Sequence, residues 1–254
     1  MKRITAILMG IGISLAFAGC TSQSLEGQQE QVNFFGMDTY MTITAYGEDA
    51  GEAVEEAQAR ILKLEKEWSV TDESSQIYQA NHSGESPVTL SDDTRDVVSF
   101  ALEMAEKTGG ALEPTIYPVL EAWGFTTDEN RIPAPDEIQT LLEHVGYEQV
   151  SLSGNELTLP EGVELDLGAV GKGYAGDAAA EVIKEQGVTS ALLDLGGNIQ
   201  AVGKRPDGTD WRIGIRNPFG DGQMGMLLAS DCAVVTSGSY ERYFVGEDGK
   251  EYTH

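Results

Sequence analysis

Apolar residues recur three and four positions apart from Glu52 to Trp68, at Val54, Ala57, Ile61, Leu64 and Trp68, which predicts an amphipathic helix. Ahead of it, Val32–Phe35 and Met41–Tyr46 read as two strands joined across Gly36-Met37-Asp38. A polar stretch from Ser69 to Ser86 reads as a loop. Ser91 then caps a second helix carrying Val97, Val98, Ala101, Leu102 and Ala105, which Gly109-Gly110 stops. Pro135 opens a third, with Ile138, Leu141, Leu142 and Val145 on one face and Gly146 just past its end. Beyond it the pattern turns β-rich. Strands are predicted at 156–159, 163–167, 191–195, 198–202, 211–216, 226–230 and 233–237, with one helix inserted from about Lys172 to Glu185. Strands with inserted helices, lacking regular βαβ alternation, predict an α+β fold. No internal repeat or second linker divides the chain, so one domain is expected.

Composition narrows the function. Across 254 residues, 16 Lys and Arg face 42 Asp and Glu, a formal charge of −26. Such a surface repels a phosphate backbone, which excludes nucleic-acid polymers as partners. Two cysteines exclude a disulfide scaffold and a multi-cysteine zinc site. Outside the N-terminus no apolar run is long enough to span a bilayer. At the N-terminus, Lys2 and Arg3 precede a mostly apolar Ile4–Ala16 and then Phe17-Ala18-Gly19-Cys20. This resembles a bacterial lipobox, with residues 1–19 as signal peptide, Cys20 as the lipidated residue and 20–31 as a flexible tether. The expected location is the extracytoplasmic face of the cell membrane. Losing Lys2 and Arg3 leaves 14 basic residues against 42 acidic, a formal −28. Cys232, left without a partner, is expected to be a buried core thiol.

The most informative stretch is Val163-Glu-Leu-Asp-Leu-Gly-Ala-Val-Gly-Lys-Gly-Tyr-Ala-Gly-Asp177. A strand running into three glycines, a lysine and a helix predicts an anion site. Glycines permit close backbone approach, a helix start offers unpaired N–H groups, and Lys172 adds a full charge. Asp166 could accept hydrogen bonds from a sugar or base. A P-loop is excluded, because Asp166 stands where its first glycine is required and Gly173 where Ser or Thr is required. The dinucleotide spacing G-x-G-x-x-G is also absent, since the order here is Gly168-x-x-Gly171-x-Gly173.

Further motifs surround this stretch in order: Phe35-Gly-Met-Asp-Thr39, Gly110-Ala-Leu-Glu-Pro-Thr-Ile-Tyr-Pro118, Trp123-Gly-Phe125, Leu193-Asp-Leu-Gly-Gly-Asn198, Trp211-Arg-Ile-Gly-Ile-Arg-Asn-Pro218, Val235-Thr-Ser-Gly-Ser-Tyr-Glu-Arg-Tyr-Phe244 and Gly249-x-x-Tyr252-x-His254. Together they resemble the ApbE-like family of FAD:protein FMN transferases, over essentially all of residues 33–254. The resemblance implies an ApbE-like, T-fold-related α+β domain with mixed or antiparallel sheets and inserted helices. It implies FAD as substrate, Mg²⁺ as cofactor, and transfer of FMN to a threonine hydroxyl of an acceptor flavoprotein with release of AMP. Holding a pyrophosphate, neutralising it and activating a hydroxyl are tasks these residue types can perform.

Residue by residue, the resemblance implies flavin-nucleotide contact at Met37, with Asp38 where the family has glycine. It places Ala111, Leu112 and Glu113 along the FAD site, Glu113 standing where Asp is more usual. Asp166 and Lys172 match FAD contacts, and Ala169 matches a residue whose backbone carbonyl ligates Mg²⁺. Thr71 matches a position where relatives often carry an aromatic beside the flavin; Trp68 and Tyr78 are nearby aromatics that could stack instead. His254 matches a family histidine and is suited to accept the threonine proton. His82 and His144 are expected to be solvated. Family members continue beyond this histidine with further Mg²⁺ ligands, so a C-terminally incomplete domain, 32–254, is expected. Two other activities fit the same residues: a non-catalytic FAD-binding lipoprotein, and a hydrolase giving FMN and AMP.

Overall fold

The computed structural model describes residues 28–127, 129–238 and 242–253. The chain begins with an antiparallel hairpin, β1 (Gln29–Gly36) and β2 (Thr39–Tyr46). Its turn residues Met37 and Asp38 have φ of 46° and 64°. Two successive left-handed residues match the right-handed twist of the strands, and Asp tolerates that region better than most residues. Asp38 therefore keeps the backbone that a glycine would adopt.

Helix α1 (Ala50–Trp68) follows and buries Val54, Ala57, Ile61, Leu64 and Trp68, the predicted face. The expected loop after it contains a short helix, α2 (Gln76–Asn81), capped by Ser75, whose hydroxyl accepts from the Tyr78 amide. Strand β3 (Val88–Thr89) leads to α3 (Asp92–Thr108), with Ser91 as N-cap and Gly109 left-handed at its end. Helix α4 (Tyr117–Trp123) was not visible in the pattern; Pro118 lies in its first turn and Gly124 ends it. The third predicted helix is shorter than expected. α5 spans Pro135–Leu141, a 3₁₀ turn follows over Leu142–His144, and no residue of α5 is buried.

Strands β4 (Ser151–Ser153) and β5 (Glu156–Thr158) join β3 in a small sheet of order β3-β5-β4. After α6 (Gly168–Glu185) come β6 (Ser190–Asp194), β7 (Asn198–Gly203), β8 (Trp211–Arg216), β9 (Gln223–Ala229) and β10 (Cys232–Val235). A last hairpin pairs β11 (Tyr243–Val245) with β12 (Glu251–Thr253).

The main sheet has the order β1-β2-β6-β7-β10, all antiparallel. One face carries Met41, Ile43, Ala45, Ala191 and Leu193 into the core beneath α1 and α6. The other carries Leu192, Ile199, Ala201 and Val234 against the β8–β9 ribbon, where Trp211, Ile213 and Ala229 complete a smaller core. Strict alternation along each strand divides the two sets. The architecture is α+β, as the pattern predicted. Among the described residues no helix is long and apolar enough to cross a membrane.

Two expectations change. Val163–Leu167 is extended but forms only an isolated bridge, Glu164 with Ile116. Its polar backbone is satisfied from elsewhere: Asn81 Oδ1 accepts from Leu165 N at 2.8 Å, Asn81 Nδ2 donates to Leu165 O at 2.9 Å, and Asp166 N donates to Pro114 O at 2.8 Å. Cys232 is exposed, because β10 is an edge strand whose outer positions face solvent.

Candidate functional site

The predicted anion stretch forms the start of α6, and the helix begins earlier than periodicity suggested, at Gly168. Asp166 Oδ1 accepts from Gly168 N at 2.8 Å, while Leu167 O accepts from Val170 N and Gly171 N at 3.0 and 2.7 Å. Most donors of the first turn are thus occupied by the protein itself. The expected ring of free N–H groups is replaced by a single side chain, that of Lys172. It is half-buried, and burial pushes its pKa down. No ion pair among the described residues engages it. In so acidic a chain, a desolvated lysine without a carboxylate partner is poised to hold an anion.

The glycines around it have separate causes. A Cβ at Gly168 would stand 2.9 Å from Asp166 Oδ1. One turn beyond Lys172, Gly176 packs so that a Cβ would lie 3.2 Å from Leu195 Cδ1, which seats this face of α6 on the β6–β7 turn. In that turn Gly196, at φ 70°, has no room for a side chain, because its Cβ would stand 2.1 Å from Thr39 Oγ1. Asp194 Oδ1 accepts from both Gly196 N and Gly197 N, at 3.1 and 3.3 Å. Gly197 O in turn accepts from Thr236 N at 2.9 Å. Thus the β1–β2 turn, the β6–β7 turn and the end of β10 meet one another, and the β6–β7 turn packs against the middle of α6 at Gly176. Asp38 pairs with Arg242, which brings the segment before β11 to the same place.

Met37 belongs to this gathering. It is half-buried, and its N–H donates to Glu65 Oε1 on α1 at 2.7 Å. On the other flank of the helix start, Asp166 is tied to the 111–115 segment through Pro114 O, and Leu112 lines the same cleft as Ala169. Glu113 is used internally. Its Oε1 accepts from Thr115 N and Oγ1 at 3.0 and 2.7 Å, and its Oε2 accepts from Tyr147 N at 3.2 Å. Thr115 Oγ1 accepts from Gly146 N at 2.7 Å, so the carboxylate clamps this segment to residues 146–147. Ala111 is exposed beside it.

Thr71 stands apart: its N–H and hydroxyl both bond Ser69 Oγ within their own loop. The two aromatics suggested beside it each have partners within the protein. Trp68 is a core residue, donating to Thr94 Oγ1 at 3.1 Å and meeting Tyr174 edge-on at 5.4 Å. Tyr78 stacks on His82 at 4.0 Å. Of the expected solvated histidines, His82 bonds Tyr78 O at 2.8 Å, and His144 is half-buried beside Gly162. His254 and Cys20 lie outside the described residues. Asn81 was missed: its contact with Leu165 spans 84 positions and has no local signal.

The chain matches the ApbE family over residues 37–254, a span that contains every element just described from the β1–β2 turn onward. It belongs to the ApbE family. An FAD:protein FMN transferase of Treponema pallidum is 34% identical over 221 residues, covering 80% of this chain and 61% of that protein. The FAD:protein FMN transferase of Vibrio cholerae is 30% identical over 260 aligned positions, covering 97% and 76%. Among solved structures, the ApbE protein of Thermotoga maritima superposes with a TM-score of 0.85 at 30% identity, covering 89% of this chain and 75% of that one. The apo flavinyl transferase ApbE of Pseudomonas stutzeri gives 0.78 at 27%, covering 89% and 73%. The chain therefore spans between about three fifths and three quarters of the length of these ApbE relatives.

Proposed function

We propose that this protein is an FAD:protein FMN transferase, moving FMN from FAD to a threonine hydroxyl of an acceptor protein and releasing AMP. One observation carries the proposal: in a chain of net charge −26, Lys172 is half-buried, engages no ion pair among the described residues, and lies one helical turn before Gly176, where α6 packs on the β6–β7 turn. A pyrophosphate is the anion that such a site suits. Met37 and Lys172 would hold the FMN half and the pyrophosphate. Asp194, by fixing Gly196 and Gly197, would position the turn facing them. His254 is the proposed acceptor of the threonine proton as oxygen attacks phosphorus and AMP leaves.

Magnesium belongs to the proposal within a limit. Among the described residues no three His, Cys, Asp or Glu side chains group to hold a cation. Ala169, the carbonyl ligand implied by resemblance, lies within α6, so its oxygen points along the helix toward the Gly173 amide. The residues described do not by themselves build a cation site, and no step above runs through the metal. Lipidation at Cys20 and anchoring to the outer face of the bacterial membrane complete the proposal, on the lipobox alone.

The test is incubation with FAD, Mg²⁺ and an acceptor bearing a threonine flavinylation motif, followed by intact mass and AMP release. An acceptor heavier by one FMN, with one AMP released per transfer, is expected. Unmodified acceptor with intact bound FAD would leave a flavin carrier instead, and free FMN plus AMP a hydrolase.

A further inference from the structure

The outer face of the β8–β9 ribbon belongs to neither core described above. Strand alternation sends Trp211, Ile213 and Ala229 inward, so Leu228 and Met226, opposite Arg212 and Gly214, face outward. Outward positions on a sheet covered on one side are ordinarily polar. Here they are apolar, and Leu228 is 66% exposed. Met224 and Phe219, the latter 93% exposed, carry the apolar strip on to the tip of the ribbon. The tip is held in shape by its own hydrogen bonds. Phe219 N donates to Asn217 Oδ1, and Asn217 N donates to Gly222 O, both at 3.0 Å. A tied turn thus presents the phenyl ring to its surroundings.

The local charge is unlike that of the rest of the chain. Residues 211–229 carry Arg212 and Arg216 against Asp221, a formal +1 within a chain of −26. Both arginines are exposed on the outer face, and Arg212 Nε donates to Met226 Sδ at 3.2 Å, which lays that side chain along the strip. Apolar side chains interleaved with arginines suit the boundary between phospholipid headgroups and acyl chains. There the apolar groups bury while the guanidinium groups stay among the phosphates. The acidic body is repelled by the same phosphates, which leaves the ribbon as the face of approach.

The N-terminal anchor puts a bilayer within reach. Gln29 is nine residues after Cys20, at most about 30 Å away. Gln29 pairs with Tyr46, whose ring centre lies 6.1 Å from that of Trp211 at the root of β8. A lipid on Cys20 therefore holds the root of the ribbon within about 40 Å of the membrane, at a high effective concentration.

We propose that the outer face of the β8–β9 ribbon docks on the phospholipid bilayer, with Phe219, Met224 and Leu228 at the acyl boundary and Arg212 on lipid phosphate. This docking rests on the anchor proposed above and adds the surface that lies on the membrane. Because the ribbon covers the sheet face opposite α1 and α6, docking turns those helices away from the bilayer.

The test uses the full chain, reconstituted through its own N-terminus in vesicles of phosphatidylcholine with a quarter phosphatidylglycerol. Phe219→Trp places an indole at the tip, and lipids brominated along the acyl chain are expected to quench most of the emission it adds. In that background Leu228→Glu should lower the ratio of docked to undocked protein at least about tenfold. Arg212→Glu should lower it about fivefold or more. The melting temperature should stay unchanged in both, because the positions are exposed. Vesicle-bound chain whose added indole is not quenched overturns the docking and leaves the anchor standing. The same result with a dimer by cross-linking assigns the strip to a second copy and also overturns it. Quenching that both charge variants leave unchanged overturns the assignment to this face. Quenching in a chain that intact mass shows without lipid on Cys20 supports the docking and overturns the anchor alone. Chain that does not sediment with the vesicles overturns both.

Discussion

The two faces of the main sheet are unequal. Beneath α1 and α6, Ile43, Ala45, Ala191 and Leu193 are fully buried, and a single core runs on through Ile61, Leu64 and Ile183. Behind the same strands, the β8–β9 ribbon buries Trp211, Ile213 and Ala229 but leaves Met224, Met226, Leu227 and Leu228 at 47–66% exposure. The candidate site grows from the first face. A desolvated lysine and a glycine turn without room for a Cβ are costly features, and closely packed elements on several sides can hold them in place. The ribbon carries no comparable burden.

The sharpest way to break this comparison is in its core. Leu193→Ala should cost about 2–5 kcal/mol, read from the urea midpoint. A loss near zero would mean that the helical face is not the stabilising one. Next is the bidentate Arg60–Asp93 pair, which ties α1 to α3 behind that face. Arg60→Ala should cost about 1–2 kcal/mol at neutral pH, because the part-buried Asp93 loses its bidentate partner but keeps Lys63 3.6 Å away. Arg60 holds the Asp93 pKa below the usual carboxylate range. The pair's contribution is therefore complete above the unfolded pKa, about 3.9, and is lost as pH falls through the depressed folded value. The gap between wild type and Arg60→Ala should narrow in acid.

Lys172→Met tests function against stability at the site. FAD affinity should fall about 10- to 100-fold, near 1.4–2.7 kcal/mol, while the melting temperature holds or rises because a desolvated charge is removed. With the Lys172 pKa lowered by burial, FAD binding should be strongest below that value and weaken as pH rises through it, sooner than an ordinary lysine would allow. A flat affinity profile across that range would count against the ion contact. The smallest effect is expected on the ribbon, where Leu228→Ser should change stability by no more than about 0.5 kcal/mol. A larger loss would show that β9 is held more tightly than its exposure indicates.

Legibility followed the range of the forces involved. α1 and α3 could be read because spacing and caps are local, and Ser91 and Gly109 act as predicted. The strands from 190 to 235 were legible through alternation and turn residues. α2 and α4 were not, since six or seven residues hold too few periods to separate a helix from a loop. Val163–Leu167 was misread because its apolar residues are buried as a strand's would be, while Asn81 supplies the hydrogen bonds of a neighbouring strand. The site was half legible. Lys172 and its glycines stood out by composition, but the occupation of the helix's first N–H groups by Asp166 and Leu167 could not be read from residue types.

By itself the sequence determined the α+β class, the long helices, the acidic surface and the membership in the ApbE family, because these rest on local periodicity, counted charge and ordered motifs. Only the tertiary structure decided that Glu113 is a clamp, that Trp68 is core and that Cys232 faces solvent. It alone seated Gly176 of α6 against the β6–β7 turn and left a cleft over Gly173. The physical reason is that hydrogen-bond partners, burial and empty volume depend on residues tens of positions apart, whose meeting no local pattern records.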